Sequence, residues 1–353
     1  MDSTKNNNAT PVITKESKNK IRVDYEGKLS FTDRAKEKLK ATNTWIKLAV
    51  SFFRFVLMLG VSFVIIYPFI ARIAGSFMTR EDILDATVSL IPKTPTLEIY
   101  RAIIVENHYF EALVNTLLLS LGCAAIQMLI SCLVGYGLAK FKFKGNKFVM
   151  GLVVVTMVIP HGAMSLSMLQ HFTKFDIATV QSWGYPGIVE LINGSPLELT
   201  NTYAPLFILS LFGLAFKNGL YIYLLRQFFK GVPDELEESA YVDGSGTLRT
   251  FFQIILPLSI PMMITVFLFA FSWQWTDEFY TSLFFQSSLN KMYLMPDVYQ
   301  IPTSMKGSFA GNVLYQSVVQ NTGGLLIIAP LIVVYLFGQK YLVQGIERSG
   351  LVG

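Results

Sequence analysis

The stretch ELEESAYVDGSGTLRTFFQIILPLSIPM, from Glu235 to Met262, lies between two of the most apolar parts of the chain. Pro233 lies two residues before this stretch, and several acidic residues follow the proline. Both features favour the first turn of a helix. Gly244 and Gly246 permit the left-handed conformation that ends a helix. The pattern predicts a short helix on the surface of a membrane protein, followed by a sharp turn into an apolar helix. The alternative is an ordinary surface loop whose acidic side chains are solvated.

The composition places the chain among membrane proteins. Its 353 residues are 52% hydrophobic and only 15% charged, whereas a soluble domain carries roughly 25% charged residues. Six segments have about the 20 mostly apolar residues that a membrane-spanning helix requires. They are roughly 49–74, 112–139, 147–170, 204–228, 254–285 and 313–340. The predicted fold class is an all-α, polytopic membrane protein with six transmembrane helices, the fifth of which bends or leaves the bilayer near its end.

Lysine and arginine in short loops indicate which side of the membrane is cytoplasmic. The loop 140–147 holds four lysines and no acidic residue, and residues 1–48 hold eleven basic residues against six acidic ones. The loops 75–111 and 171–203 carry more acidic than basic residues. Both termini are therefore predicted to be cytoplasmic, and the stretch that begins at Glu235 falls in the cytoplasmic loop between the fourth and fifth spans.

Two parts of the chain are expected. Residues 1–48 form a basic cytoplasmic segment that is disordered at its start, and residues 49–353 form the transmembrane domain, with a cytoplasmic tail at 341–353. Prolines inside the predicted spans, such as Pro160, Pro257 and Pro330, predict kinked helices. Kinks at membrane depth are tolerated where a helix faces protein or a water-filled cavity, so they favour a transport path over a rigid anchor.

Lys217 and Asn218 lie inside the predicted fourth span. A charged side chain at that depth usually faces the interior of the bundle or water. Both residues are therefore candidates for a substrate path or for a contact with a partner subunit. The alternative is that Lys217 extends its ammonium group to the membrane surface.

Trp273 and Trp275 close the apolar part of the fifth span. Aromatic rings of this kind stack on the faces of sugars, so both are substrate-path candidates; the alternative is an aromatic belt at the membrane interface. His161, Met164 and Met168 are interpreted as packing residues. No group of residues has the spacing of a metal site, a nucleophilic triad or a pair of catalytic carboxylates, so no enzyme activity is predicted.

The residues ESA at 238–240, Gly244 and IILP at 254–257 resemble the EAA loop of the membrane subunits of ABC importers. That loop reads E-A-A, three residues, glycine, nine residues, I-x-L-P, and the one departure here is Ser239 in place of the first alanine. Four further stretches are similar to the maltose-type second permease subunit: GYGLAKFKFKGNK at 135–147, VIP at 158–160, LLRQFFKGVPDEL at 224–236 and GIERSGLVG at 345–353. The resemblance covers about residues 110–353. It implies the type I ABC importer permease fold, with an EAA loop at about 231–250.

The resemblance also implies a function: a permease subunit that moves a carbohydrate, in particular an oligosaccharide, into the cytoplasm by alternating access. Glu238 would pair with a basic residue of a separate ATPase subunit, and the small Ser239 and Ala240 would let the helix sit close to that subunit. Gly244 would make the turn, and Asp243 would cap the helix or contact the partner.

The implied partners are a second permease subunit that forms a heterodimer with this chain, two ATPase subunits, an extracellular solute-binding protein and the carbohydrate substrate; no nucleic acid is expected. The chain has no G-x-x-x-x-G-K-[ST] phosphate loop. It is therefore expected to bind no cofactor, with ATP and Mg²⁺ held by the ATPase subunits. The implied location is the bacterial cytoplasmic membrane. The alternative function, a self-contained secondary transporter or channel for a small polar solute, leaves the pattern at 235–257 unexplained.

Overall fold

The computed structural model of the protein describes residues 12–16, 20–24, 42–177, 187–286, 292–307 and 312–348. One β-hairpin and a series of helices make up these residues. The strands are β1 Val12–Glu16 and β2 Lys20–Asp24. The helices are α1 Thr42–Gly75, α2 Arg80–Leu84, α3 Glu98–Glu106, α4 Tyr109–Lys140, α5 Asn146–Val158, α6 Ser165–Thr173, α7 Ile188–Asn193, α8 Ala204–Leu211, α9 Asn218–Lys230, α10 Glu235–Val242, α11 Thr247–Thr250, α12 Leu256–Trp275, α13 Phe279–Phe284 and α14 Asn312–Arg348. The chain divides into two compact units, residues 1–69 and 70–353.

The first unit holds the hairpin and most of α1. β1 and β2 pair antiparallel, with Ile13 opposite Val23, and β-branched residues of this kind favour strands. The prediction of disorder at the start of the chain is wrong for these strands. α1 begins at Thr42 rather than at 49, and its apolar side chains from Trp45 to Ile66 are exposed. An apolar helix exposed on all sides requires lipid or another protein around it.

Two of the six predicted spans are interrupted. Within the described residues, four uninterrupted helices are long and apolar enough to cross a membrane: Trp45–Gly75, Tyr109–Lys140, Thr247–Trp275 and Val313–Val343. The predicted third span is broken after α5, and the helical segment that follows is bent away from α5 by 92°. The predicted fourth span consists of α8 and α9, separated by residues 212–217. The prediction of a helical, membrane-spanning protein is confirmed, whereas six uninterrupted spans are not observed.

Backbone chemistry explains both breaks. Pro160 follows α5 directly after Ile159, and a proline has no amide hydrogen with which to continue a helix. Between α8 and α9, Gly213 has φ 70° and Lys217 has φ 68°. Both values lie in the left-handed region, which a right-handed helix excludes.

The fifth span also differs from its predicted extent of 254–285. It begins with α11, passes through a π-helical turn at Phe251–Ile255 and continues as α12. The helix stops at Trp275 and a separate helix, α13, begins at Phe279, which agrees with the expected bend near the end of this segment. The last span, α14, continues as helix to Arg348, so the predicted tail at 341–353 is helical up to that residue. The last five residues lie outside the described part of the chain.

α4 is the central helix of the second unit. It packs against α8, α9 and α12, and α12 packs in turn against α14. α4 and α9 approach closely at Gly135, where an added Cβ atom would lie 3.0 Å from the backbone nitrogen of Arg226 and 3.0 Å from Cβ of Leu225. Small residues allow membrane helices to pack at such short distances, so Gly135 sets the spacing of the two helices.

One buried carboxylate joins the segment directly after α6 to the start of α7. Oδ1 of Asp176 accepts hydrogen bonds from the amides of Ile177 and Val189, both at 2.7 Å, and Oδ2 accepts one from the amide of Glu190 at 3.0 Å. Burial disfavours the charged carboxylate and by itself would raise the pKa of Asp176. The hydrogen bonds from the backbone amides have the larger combined effect, so the pKa of Asp176 is lowered. An added Cβ atom at Gly187 would lie 2.3 Å from the carboxylate, so a side chain there would displace it. The start of α7 is thereby fixed to the segment after α6.

Replacing Gly135 by valine is expected to force α4 and α9 apart, since the opposing backbone of Arg226 cannot move away as a flexible side chain can. Overpacking of this kind costs about 1–3 kcal/mol of unfolding free energy. Gly151→Val is the matched control, because Gly151 also lies in a helix and an added Cβ atom there meets nothing within 4 Å. Thermal unfolding of both variants in detergent micelles measures the difference. Equal melting temperatures would contradict the close packing at Gly135.

Candidate functional site

The acidic stretch forms the predicted surface helix, α10, and the predicted turn. Gly244 follows the helix with φ 79°, in the left-handed region. Its amide donates to the carbonyl of Tyr241 at 3.0 Å, and the amide of Ser245 donates to the carbonyl of Ala240 at 2.9 Å. This pair of bonds is the Schellman motif that closes a helix. α10 and its turn are therefore one rigid element ahead of the fifth span.

α10 presents one face to solvent and the other to the rest of the chain. Glu238, Ser239, Asp243 and Gly244 are exposed, whereas Ala240 is only 5% exposed. This corrects the expectation for Ala240: its small side chain packs inside this chain instead of approaching another subunit. The four exposed residues remain accessible to a partner.

α10 is tied to the central helix through Lys140. The side chain of Lys140 is 6% exposed; its Nζ lies 2.5 Å from Oδ1 of Asp234 and donates to the carbonyl of Val232 at 2.7 Å. The hydrogen bond and the positive charge of Lys140 lower the pKa of Asp234. Since Asp234 directly precedes α10, the end of α4 holds the start of α10 in place. In the sequence Lys140 is one of four loop lysines, and nothing there signals this contact.

A cavity of about 290 Å³ lies where the two broken spans meet. Its lining residues are Thr156, Met157, Ile159, His161, Met164, Met168 and the segment 213–220. α5 and α9 each have 13 residues, about 20 Å of helix. α5 begins, and α9 ends, at the end of the bundle that contains Lys140 and Lys230. We call this the lysine-rich end. The breaks therefore lie about 20 Å from that end, within a hydrocarbon core of about 30 Å.

Lys217 is held at this cavity by two aromatic rings. Its Nζ lies 4.7 Å from the centroid of the Phe216 ring and 5.0 Å from that of the Trp273 ring, both within the range of cation–π attraction. Trp273 remains 47% exposed. The structure thus brings two of the predicted path residues, Lys217 and Trp273, together at the break between α8 and α9.

Polar side chains of α4 reach both sides of the same break. Nε2 of Gln127 lies 3.2 Å from Oγ of Ser210 in α8, and Nδ2 of Asn218 lies 3.4 Å from Oγ of Ser131. All four side chains are buried. Gln127 and Ser131 were not identified from the sequence, although two polar residues four positions apart in an apolar span are one turn apart on the same face of a helix. That spacing is the signal that could have found them.

His161, Met164 and Met168 were interpreted as packing residues, and all three line the cavity. Nδ1 of His161 lies 2.6 Å from the hydroxyl of Tyr280, and the His161 ring centroid lies 4.8 Å from that of Phe216. The histidine therefore both packs within the bundle and forms part of the cavity wall.

Trp275 has a different position from the other path candidates. It is 1% exposed, and its indole nitrogen donates to the carbonyl of Ile327 in α14 at 2.9 Å. The buried ring connects α12 to α14, and neither face of the ring is accessible to a substrate. This corrects the expectation that Trp275 faces a substrate path; Lys217, Asn218 and Trp273 remain the candidates.

Residues 127–348 match the protein family described as the binding-protein-dependent transport system inner membrane component. The chain belongs to this family. The matched residues include α10, Lys140 and all the residues that line the cavity. This permease is therefore a multi-pass membrane component of a transport complex and not an enzyme, and the alternative of a self-contained transporter or channel is set aside.

Curated relatives of this permease cover most of its length. It is 26% identical over 305 residues to the galactooligosaccharides transport system permease protein GanQ of Bacillus subtilis strain 168, covering 85% of this chain and 95% of GanQ. It is 27% identical over 294 residues to the polygalacturonan/rhamnogalacturonan transport system permease protein YtcP of the same strain, covering 82% and 93%.

A solved structure shows the same fold. A chain of a bacterial ABC transporter involved in the import of the acidic polysaccharide alginate superposes with a TM-score of 0.62 at 19% identity, covering 89% of this permease and 98% of that chain. The predicted fold of an ABC importer permease is thereby confirmed.

Lys140→Met is expected to release the start of α10 from α4. The variant loses the hydrogen bonds of Lys140 to Val232 and Asp234, so hydrogen exchange of the α10 amides should accelerate. Lys144→Met is the matched control, because Lys144 is exposed in the same loop. Unchanged exchange in the Lys140 variant would contradict the contact.

The same contact has a defined pH dependence in the unmodified protein. The pKa of Asp234 is lowered from its ordinary value of 3.8, so the ionised form prevails in the folded state above that pH. The ion pair should persist from neutral pH to below about pH 4 and be lost only as the pH falls through the lowered pKa.

Proposed function

We propose that this chain is one permease subunit of a bacterial ATP-binding-cassette importer that brings a carbohydrate, in particular an oligosaccharide, into the cytoplasm. The observation that carries the proposal is α10, an exposed acidic helix held rigidly on the bundle by the Gly244 turn and by Lys140. The names of GanQ and YtcP refer to galactooligosaccharides and to polygalacturonan and rhamnogalacturonan, which supports a carbohydrate substrate.

In this proposal α10 docks on a separate ATPase subunit. Glu238 pairs with a basic residue of that subunit, Ser239 allows close approach, and Asp243 contacts the partner beside the turn at Gly244. Exposure of all four residues supports these roles. ATP and Mg²⁺ are bound by two such ATPase subunits. Their closure moves α10, and the bundle changes between inward- and outward-facing states by alternating access.

The complex has further subunits. A second, non-identical permease subunit forms a heterodimer with this chain, and an extracellular solute-binding protein delivers the carbohydrate. The exposed apolar surface of α1 supports a membrane location in which lipid or the second permease surrounds this helix. The lysine-rich end faces the cytoplasm of a bacterial cell, as do residues 1–48 and the tail 341–353. The charge bias of the loops supports this orientation.

The substrate path passes the cavity at the two helix breaks. Lys217, Asn218 and Trp273 are the residues of this chain that we assign to it. Backbone that is not helical at membrane depth is tolerated where it lines a water-filled cavity, and in transporters broken helices of this kind are often found at binding sites. Both features support the assignment.

A double variant tests the coupling role of α10. Glu238→Gln with Gly244→Ala should hydrolyse ATP without a matching uptake of substrate, because the charge contact is lost and an alanine is strained at φ 79°. We expect the ratio of transported substrate to hydrolysed ATP to fall at least tenfold in reconstituted liposomes, with normal amounts of the chain in the membrane.

The matched control is Gly246→Ala. Gly246 lies two residues away in the same turn, but its φ is −79° and an added Cβ atom meets nothing within 4 Å. Fully coupled transport by the double variant would disprove the docking role of α10. An equal loss in the Gly246 variant would attribute the defect to the loop in general.

A further inference from the structure

The cavity at the helix breaks carries a positive charge that has no counterpart in the described structure. No Asp or Glu is among its lining residues. Within the described ranges, no carboxylate forms an ion pair with Lys217. A charge at membrane depth is costly and usually serves a pathway or a partner. Two aromatic rings are the only groups seen to stabilise the Lys217 ammonium in this part of the chain.

The backbone adds to the positive potential of the cavity. Lys217 directly precedes α9, and the cavity is lined by residues 218–220, the first turn of that helix. The amide of Asn218 donates to the carbonyl of Ala215 at 3.0 Å, whereas the amides of Gly219 and Leu220 come too early in α9 to have an intrahelical acceptor. The helix dipole favours a negative group beside this first turn. α9 has 13 residues, long enough for its dipole to be fully developed.

A second feature of the cavity suits a hydroxylated ligand. Asn218 is fully buried, and Oδ1 of its amide has no hydrogen-bond partner among the described residues, while the other end of the amide contacts Ser131. A buried acceptor without a donor is costly, and a sugar hydroxyl is a donor. Trp273, half-exposed beside Lys217, offers an aromatic face.

We propose that this cavity binds an anionic sugar unit, whose acidic group contacts the Lys217 ammonium and the first turn of α9. The cargo of the importer is then an acidic oligosaccharide, carrying either uronic acid carboxylates or sulfate esters. A neutral sugar would leave the charge of Lys217 without an anion. The inference rests on the proposed import function.

The test uses the complete complex, purified with its partner subunits and reconstituted in liposomes. The probes are labelled trisaccharides in matched sets: galacturonic acid trisaccharide, mannuronic acid trisaccharide, the neutral carboxyl-reduced form of each, and a sulfated form of each neutral sugar. We expect an acidic member of a set to be taken up at least tenfold faster than its neutral form at equal concentration. Preference for a carboxylated or a sulfated member identifies the source of the negative charge.

Variants of Lys217 distinguish ligand selection by the cavity from ligand selection by the solute-binding protein. Lys217→Met should raise the KM for the acidic trisaccharide at least tenfold, and Lys217→Arg, which keeps the charge, should raise it less than about threefold. Lys174→Met is the control, because Lys174 is exposed outside the cavity. If Lys217→Met fails to assemble, equilibrium binding of acidic and neutral trisaccharides to the unmodified complex without binding protein replaces it, and a tenfold preference for the acidic form is expected.

Three results would overturn the inference: equal uptake of the acidic and neutral forms, an unchanged KM in Lys217→Met, or equal equilibrium binding of the two forms. In each of these cases the complex still imports or binds an oligosaccharide. The result would therefore reject the preference for an acidic sugar and leave the proposed import function standing. Failure of every member of the panel to enter the liposomes or to bind would instead count against the proposed import function.

Discussion

Every backbone amide and carbonyl group at membrane depth must find its partner inside the protein, and the arrangement of this bundle depends on that requirement. Two spans break within the hydrocarbon core, at Pro160 and between Gly213 and Lys217. The second break lies against Gln127 and Ser131 of α4, which contact polar side chains on both of its sides. The backbone of this break is paired locally: the amides of Leu214 and Ala215 donate to the carbonyl of Leu209, and the amide of Asn218 donates to the carbonyl of Ala215. The unbroken central helix adds the side-chain contacts that hold the two halves in place.

The same helix connects the membrane interior to the surface. α4 meets α9 at Gly135, where there is no room for a side chain, and ends at Lys140, which holds the residue before α10. Close backbone packing transmits displacement because interiors are dense and yield little. A force on α10 therefore acts on α4 and α9 together, and not on a flexible loop.

Much of this architecture could be predicted from the sequence. Hydropathy located the apolar segments, and Pro233, the acidic residues after it and Gly244 predicted the surface helix and its turn. The break at Lys217 could not be predicted, because it depends on tertiary contacts. The rings of Phe216 and Trp273 hold Lys217, and Ser131 contacts the next residue, Asn218. The different positions of Trp273 and Trp275 likewise depend on where α14 packs, and hydropathy carries no information about that.

α9 joins the two candidate functional regions directly. It starts at Asn218, directly after Lys217, in the cavity and ends at Lys230, so that four residues separate it from Glu235 at the start of α10. Its 13 residues contain no proline and no observed break, so it moves as a rod about 20 Å long. Any tilt that α10 imposes at the lysine-rich end must therefore shift Lys217 relative to Trp273, which belongs to another helix. A cation that changes its distance from an aromatic ring changes its affinity for an anion, because cation–π attraction competes with that anion for the ammonium group. Under the proposed docking of α10 and the proposed binding in the cavity, one rigid helix would link the movement at the surface to the strength of binding.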